Sequence, residues 1–273
     1  MRSNRALGAT LVGLARALGR ALVSEDLARQ CGLLQSLDPR VRVAGLLTLV
    51  LAVTLSHRVS VVLALFGTAV LIAWLSKVRL ATLFTRVWLV VLAFTGVIAL
   101  PALFLTPGDT IYTTAIGGLR ITAQGAATAV LLIARVETAV TFTTLLVLCT
   151  PWMHVLKALG AFHLPQEVVM MLAMTHRYIF LLAETASQMF ESRQSRTVGV
   201  LDSATQRRVT TRTAGVLLSK SVELSNDVFL AMQSRGFRGD VKILSEFRMR
   251  TWDYVGLMAF LAVGAFAVWM GRS

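Results

Sequence analysis

Two arginines that recur in the same short sequence are the residues best suited to a specific chemical task. The tripeptide Gln-Ser-Arg occurs twice and ends at Arg196 and at Arg235, 39 residues apart. Each copy follows a long helical pattern, and a glycine comes soon after it, Gly199 in the first case and Gly236 in the second. A guanidinium group makes two parallel, charge-assisted hydrogen bonds to a carboxylate. These arginines therefore predict binding to acidic groups.

The repeated segments have two interpretations. A glycine after a helix permits the left-handed turn that caps its C-terminus, and an arginine in the last turn complements the partial negative charge there, so each segment fits an ordinary helix end. The same tripeptide at the ends of two long helices favours a pair of docking elements for partner proteins. The residues of this predicted docking site are Ser195, Arg196, Thr197, Ser234, Arg235 and Gly236.

Two further charged residues, Arg135 and Glu137, lie within a long apolar stretch. An unpaired charge inside a membrane costs about 3 kcal/mol or more. Residues two positions apart on a helix point in nearly opposite directions, so these two do not pair with each other. A place in a transport pathway is one interpretation. Pairing of each with another helix is favoured, and Arg177 and Glu184 are candidate partners.

Histidines and cysteines are the remaining candidates for chemistry, and they are His57, His154, His163, His176, Cys31 and Cys149. No two histidines are three or four positions apart, and no cysteine or carboxylate completes a metal-binding cluster. The sequence lacks the phosphate-binding pattern Gly-x-x-x-x-Gly-Lys-Ser/Thr, and no nucleophile–histidine pair stands out. We therefore predict no metal site, no cofactor and no catalytic activity in this chain.

The composition identifies the environment in which these residues act. Of the 273 residues, 56% are hydrophobic and 15% are charged, and the mean hydropathy is +0.70. A soluble protein has about a quarter of its residues charged, so a soluble enzyme and a disordered chain are both excluded. The net charge of +13 fits the excess of lysine and arginine in cytoplasmic loops rather than binding to nucleic acid. The composition thus predicts an integral membrane protein in contact with the lipid bilayer.

Five apolar runs predict about five transmembrane helices in an all-α fold, because a helix needs about 20 residues to cross the hydrocarbon. The runs are Val43–Ser56, Val59–Leu75, Val87–Leu105, Ala126–Thr150 and Tyr254–Met270. The loop at 76–86 carries Lys77, Arg79 and Arg86 and no acidic residue, so we expect it to face the cytoplasm. Alternation then places the N-terminus and residues 151–253 in the cytoplasm. Residues 38–150 form the first four helices and residues 254–273 the last.

The N-terminal segment, residues 1–37, has an amphipathic pattern. At helical spacing, one side of this segment carries the leucines Leu7, Leu11, Leu14, Leu18 and Leu22. The opposite side carries the arginines Arg5, Arg16 and Arg20. Such a helix suits the membrane surface. It suits packing against a partner helix equally well.

Residues 151–253 are too many for a loop and are helical in pattern. Pro165 precedes one long helix, from Gln166 to about Arg193, and a second ends near Gln233. Met170, Met171 and Met174 lie in the first of these helices. They predict either a pliable sliding face, because methionine adapts to changing contacts, or ordinary core packing.

Several short motifs resemble a known family. Leu37-Asp-Pro-Arg40 before the first span, Cys149-Thr-Pro151, Leu164-Pro165, and His176 to Phe180 with Glu184 are similar to the transmembrane coupling (T) component of energy-coupling-factor transporters. The paired Ser-Arg segments resemble the two Ala-Arg-Gly motifs of that family, and the cobalt/nickel branch, CbiQ-like, is the most similar. Ser195 and Ser234 replace the usual alanine, and Thr197 stands where the first motif has glycine.

The resemblance implies a non-catalytic scaffold in the cell inner (plasma) membrane. Its implied partners are two ATP-binding-cassette ATPases, which hydrolyse ATP, and a substrate-binding integral membrane subunit, with no nucleic acid. It implies long crossed helices whose motif arginines insert into the ATPases. It also implies a coupling region whose residues are Pro165, Met170, Met171, Met174, Arg177 and Glu184. The transported substrate is expected to be cobalt or nickel. A vitamin importer is the alternative, and an intramembrane enzyme or a membrane anchor for a soluble partner is more distant.

Overall fold

The computed structural model describes residues 32–105, 110–113, 120–162, 164–196, 202–238 and 250–272. These residues fall into two compact units. The membrane unit contains the described residues from 32 to 158 and from 250 to 272, and the arginine unit contains those from 159 to 238.

The membrane unit is built almost entirely from helices. They are α1 (Leu33–Ser36), α2 (Pro39–Leu55), α3 (Val59–Leu75), α4 (Leu80–Leu83), α5 (Leu89–Leu105), α6 (Ala123–Cys149) and α10 (Thr251–Arg272), and α7 (Trp152–Ala161) crosses the unit boundary. One π-helical turn, Phe84–Trp88, joins α4 to α5. After α5, β1 (Thr110–Thr113) and β2 (Arg120–Thr122) form a short antiparallel ribbon, which the sequence did not predict.

Helix α2 and helix α10 pack closely because small residues stand where their backbones meet. A Cβ at Gly45 would collide with the ring of Phe260, and one at Gly271 would lie 2.9 Å from the side chain of Ser56. Glycines of this kind let helices approach in a membrane, where packing rather than the hydrophobic effect holds helices together. Helix α6 fills the other side of this core with the buried side chains of Phe142 and Leu145.

The helices confirm the prediction of an all-α membrane protein, apart from the ribbon. Among the described residues, three helices are long and apolar enough to cross a membrane, namely Gln124–Cys149, Gln166–Arg193 and Thr251–Arg272. Val59–Leu75 and Leu89–Pro101 are shorter apolar helices. The second of the long helices was predicted to lie in the cytoplasm. Its composition permits either location, so the cytoplasmic placement stays a prediction.

The arginine unit consists mainly of two long helices, α8 (Gln166–Arg196) and α9 (Ser203–Ser234). Pro165 immediately precedes α8, and its carbonyl accepts the first hydrogen bonds of that helix from Val168 and Val169. The carboxylate of Asp202 caps α9 by accepting the N–H of Ala204 at 3.3 Å. Both helix starts therefore follow from the local sequence.

Candidate docking site

The two Gln-Ser-Arg copies form the same local structure at the C-terminal ends of α8 and α9. The hydroxyl of Ser195 donates to the carbonyl of Ser192, and the hydroxyl of Ser234 donates to the carbonyl of Ala231, both at 2.9 Å. Each serine hydroxyl thus binds the carbonyl of the residue three positions earlier, and an arginine follows each serine at the helix end. The repeat in sequence is therefore a repeat in structure. Thr197, the departure from the family pattern, lies outside the described residues.

The end of α9 has the left-handed turn that the sequence predicted. Gly236 has a φ of +84°. Its N–H donates to the carbonyl of Gln233 at 2.9 Å, and the N–H of Phe237 donates to the carbonyl of Met232 at 3.0 Å. These two bonds define a Schellman cap, which satisfies carbonyls that a helix end leaves free. The cap fixes the direction in which the chain leaves at Arg235.

Exchanging Gly236 for alanine tests this cap. A Cβ at Gly236 would meet no atom within 4 Å, so the expected cost comes from the left-handed backbone alone. That cost is about 1 kcal/mol in the free energy of unfolding. Gly215 is the matched control, because it lies inside α9 with equally open space. Gly215→Ala is expected to stabilise the helix by about 0.5–1 kcal/mol. Equal effects of the two substitutions in chemical unfolding would contradict the cap.

Both motif arginines present their side chains to the outside. Arg196 and Arg235 are exposed, and neither has an ion pair within the ranges that the structure describes. Each stands at a helix C-terminus, where the partial negative charge of the helix favours a cation. The two guanidinium groups are therefore available for carboxylates on another protein.

The motif arginines lie at opposite ends of the helix pair. Met232, near the end of α9, lines the same groove as Met170 and Met171, near the start of α8. The end of α9 therefore lies beside the start of α8. Arg196 is 26 residues beyond Met170, which at 1.5 Å per residue is roughly 39 Å along α8. The site consists of two separate cationic ends.

The two ends differ in charge. Near the start of α9, Arg207, Arg208 and Arg212 line a shallow surface groove of about 470 Å³, and all three side chains are exposed. Because the end of α9 lies beside the start of α8, the start of α9 lies on the side where α8 ends. Arg208 and Arg212 are like charges one turn apart, an arrangement that weakens an isolated helix by about 0.2–0.5 kcal/mol. The Arg196 end therefore carries the broader positive surface.

Three of the predicted coupling residues, the methionines of α8, line an open groove. Met170 and Met174 are half-buried and Met171 is 69% exposed. They face Phe229 and Met232 of α9 across a groove of about 550 Å³. Both interpretations of the methionines, a sliding face and core packing, stay predictions. The other coupling residues, Pro165, Arg177 and Glu184, are exposed.

Arg135 and Glu137 have separate surroundings, as their spacing predicted. The Arg135 guanidinium donates to the carbonyl of Ser56 at the end of α2, at 2.7 Å. Glu137 is buried, and both carboxyl oxygens lack a hydrogen-bond partner among the described residues. Arg135 thus binds a main-chain carbonyl, and its pairing with Arg177 or Glu184 stays a prediction. A helix-end carbonyl is a partner that no charge pattern reveals.

Sequence reasoning missed the role of Arg42. Arg42 is only 5% exposed. Its guanidinium donates to three carbonyls, those of Leu37 and Cys149 at 2.8 Å and that of Gln35 at 3.0 Å. These bonds join the start of α2 to α1 and to the end of α6.

Asp253 is a second residue that the sequence did not single out. Its carboxylate accepts the N–H of Asp38 at 2.7 Å and the N–H of Arg250 at 2.8 Å. It therefore holds the start of α2 beside the start of α10. One signal was available, since Asp253 is the single carboxylate in the first turn of α10 and such a carboxylate often turns back to cap its own helix.

The histidines form no metal site in the part of the chain that the structure describes. No group of three or more histidine, cysteine, aspartate or glutamate side chains is close enough to hold a metal ion there. Burial, followed by the charges of Arg42 and Lys157, lowers the pKa of His154 below its usual range. The ring of His176 packs edge-on against Phe180 at 5.1 Å. His163 lies outside the described residues.

The family of the chain follows from comparison with known proteins. Residues 32–244 match the family described as cobalt transport protein, CbiQ. The chain belongs to this family. The match begins before the Leu-Asp-Pro-Arg sequence and includes both motif arginines, so it covers the residues on which the resemblance was based.

Three known proteins are similar to this CbiQ-family chain, and two of them are named as transport proteins. An uncharacterized protein of Methanocaldococcus jannaschii is 27% identical over 273 residues, 99% of this chain and 94% of the relative. The cobalt transport protein CbiQ of Rhodobacter capsulatus is 30% identical over 155 residues, 55% of this chain and 62% of the relative. The energy-coupling factor transporter transmembrane protein EcfT of Streptococcus equi is 23% identical over 243 residues, 85% of this chain and 88% of the relative.

Proposed function

We propose that this CbiQ-family chain is the transmembrane scaffold of an ATP-driven importer of the energy-coupling-factor type. It links two ATP-binding-cassette ATPases to an integral membrane subunit that binds the substrate. The observation that carries this proposal is the pair of exposed arginines, Arg196 and Arg235, on the alike ends of the two long helices. The names of the R. capsulatus and S. equi relatives support the transporter class.

The repeated helix end suits a dimer of similar ATPases. Two similar subunits present two similar acidic grooves, and each groove takes one motif arginine. Forked hydrogen bonds between guanidinium and carboxylate become stronger when the groove excludes water. One long helix pair thus holds both ATPases.

Coupling follows from the way in which α8 and α9 pack. Within the described parts of these helices the buried residues are few: Val169, Ala186 and Thr213. When ATP binding and hydrolysis shift the ATPases, the docked helix ends follow, and the angle between the helices changes. The methionines of the groove adapt to such changes because their side chains are flexible. The movement is passed to the substrate-binding subunit, which tilts or releases its substrate.

The location that fits this function is the cell inner (plasma) membrane, with the N-terminus and the arginine unit in the cytoplasm, where ATP is available. The basic loop at 76–86 supports this orientation through the excess of lysine and arginine on the cytoplasmic side. Substrate selection belongs to the substrate-binding partner. Cobalt or nickel is the proposed substrate, because the family and one relative are described as cobalt transport proteins.

Reconstitution with partners tests the proposed function. The chain, the two ATPases and the metal-binding membrane subunit are co-expressed, and uptake of radioactive cobalt and nickel is compared with a strain that lacks only this chain. ATP-dependent metal uptake that requires the chain is the expected result. Uptake of a vitamin instead would favour the vitamin importer, and ATPase binding without any uptake would favour a membrane anchor. Catalytic activity of the isolated chain would favour an intramembrane enzyme and contradict the proposal.

A further inference from the structure

The groove between α2 and α10 is a feature of the membrane unit that the proposed function does not use. It has a volume of about 540 Å³ and is lined mainly by apolar side chains of both helices. Small residues, Ala52, Gly264 and Ala265, stand between the larger ones, and Arg272 lies at one end. The groove therefore has an apolar body and a cationic end.

The cationic end contains a second arginine. The N–H of His57 donates to the carbonyl of Gly271 at 3.2 Å. The next residues along the chain, Arg58 and Arg272, therefore lie at the same end of the groove, and both are exposed. The two chain segments that form the groove contain no aspartate or glutamate. In the proposed orientation this end faces outward, so the cytoplasmic excess of lysine and arginine does not account for the two arginines.

The groove has the depth of one leaflet of a bilayer. On α10 it extends from Leu261 to Arg272, which at 1.5 Å per residue is roughly 17 Å. The hydrocarbon of a bilayer is about 30 Å thick, so one leaflet contributes about 15 Å. Trp269 also lines the groove near Arg272 and is 70% exposed, and tryptophan is enriched at membrane surfaces. The arginines therefore lie at the depth of the lipid headgroups, and the apolar body lies at the depth of an acyl chain.

We propose that this groove binds one anionic phospholipid of the bilayer. The lipid phosphate accepts hydrogen bonds from Arg58 and Arg272, and one acyl chain lies along the groove. Guanidinium groups make forked, charge-assisted hydrogen bonds to phosphate, and basic pockets between transmembrane helices are typical sites for lipid headgroups. This site is independent of the ATPases and of the transported substrate.

The headgroup determines which lipid the groove prefers. Inside a bilayer an acyl chain gains little from the hydrophobic effect when it enters the groove, because the surrounding lipid is as apolar as the protein. A zwitterionic lipid such as phosphatidylcholine carries a cation beside its phosphate, and this cation is repelled by the arginines. An anionic lipid such as phosphatidylglycerol has no such cation, so the groove should select it.

Fluorescence quenching by brominated lipids tests the proposed site in the full chain, reconstituted in phosphatidylcholine nanodiscs. The signal of Trp269 is the difference between the chain and its Trp269→Phe variant. Brominated phosphatidylglycerol is expected to quench this signal at about a tenfold lower mole fraction than brominated phosphatidylcholine with the same acyl chains, because each arginine near the membrane surface favours an anionic lipid about fivefold.

Two pairs of variants separate the headgroup contact from the groove. Arg272→Gln should reduce the preference for phosphatidylglycerol about fivefold, whereas Arg79→Gln, at an exposed position beyond the other end of α3, should retain it. Ala265→Phe fills the groove and should reduce quenching by phosphatidylglycerol to the level of phosphatidylcholine. Ala259→Phe is its control, because Ala259 is exposed on α10 but does not line the groove.

Four results would overturn the proposal. Equal quenching by the two lipids in the unaltered chain would show ordinary contact with the bilayer, and a preference that persists in Arg272→Gln would place the headgroup elsewhere. Shielding of Trp269 from both lipids, in nanodiscs that hold two copies, would identify a second copy as the occupant. Loss of the preference when the substrate-binding subunit is added would identify that subunit as the occupant.

Discussion

A chain in which Arg196 and Arg235 are both changed to glutamate is expected to lose its ATPases. In a pull-down through a tag on this chain, the double variant should retain the substrate-binding subunit and bring down no detectable ATPase. Each single variant should retain a weakened complex, because the second helix end still docks. ATP-dependent uptake should disappear in the double variant together with ATPase binding.

The size of this effect follows from the exposed state of the arginines. Neither guanidinium has an ion pair among the described residues, so binding does not have to break one. Removing one partner of a charge pair buried at an interface costs about 2–5 kcal/mol. Each 1.4 kcal/mol is about tenfold in affinity, so even the lower figure weakens one docking contact more than tenfold. Charge reversal adds repulsion between glutamate and the acidic groove.

A matched control separates docking from a general change in charge. Lys220→Glu makes the same change in charge as either single variant, at an exposed position of α9 far from both helix ends. It should leave ATPase binding unchanged. Raising the salt concentration gives a second criterion. Salt screens the attraction between exposed charges, so ATPase binding through the arginines should weaken. If the double variant pulled down as much ATPase as Lys220→Glu, the proposed role of the arginines would be wrong.

Local features of the chain could be predicted from the sequence because neighbouring residues determine them. The cap at Gly236 needs only a glycine that adopts a left-handed turn, and the start of α8 needs only Pro165 before a helical pattern. Helix α3 matches the predicted apolar run at Val59–Leu75 for the same reason. The repeat of Gln-Ser-Arg in the sequence predicted that the two helices end alike.

Contacts between distant segments could not be predicted in the same way. Arg42 and Arg135 both bind main-chain carbonyls, and every residue has a carbonyl, so the sequence gives no sign of which one is used. The charge pattern suggested carboxylate partners for Arg135 instead. The groove between α8 and α9 depends on how two helices pack, which periodicity within each helix does not specify.

Replacing Arg42 by leucine is expected to cause the largest loss of stability in the membrane unit. The substitution leaves the carbonyls of Leu37, Gln35 and Cys149 without their donor. Hydrogen bonds to a charged group contribute about 1.5–3 kcal/mol each, and a buried acceptor without a donor costs more than one that reaches water. Because three bonds are lost at one position, the free energy of unfolding should fall by about 3 kcal/mol or more.

Two further variants show whether the geometry of the guanidinium is the cause. Arg42→Lys keeps the charge, but one ammonium group cannot reach three carbonyls that lie in different directions, so it should restore only part of the stability. Arg58→Leu removes an exposed arginine just after α2 and should have little effect. Unfolding in a detergent–SDS titration, followed by circular dichroism, measures all three. An Arg42→Leu curve that overlays that of Arg58→Leu would show that the three carbonyls do not depend on Arg42, and the start of α2 would then be held mainly by Asp253.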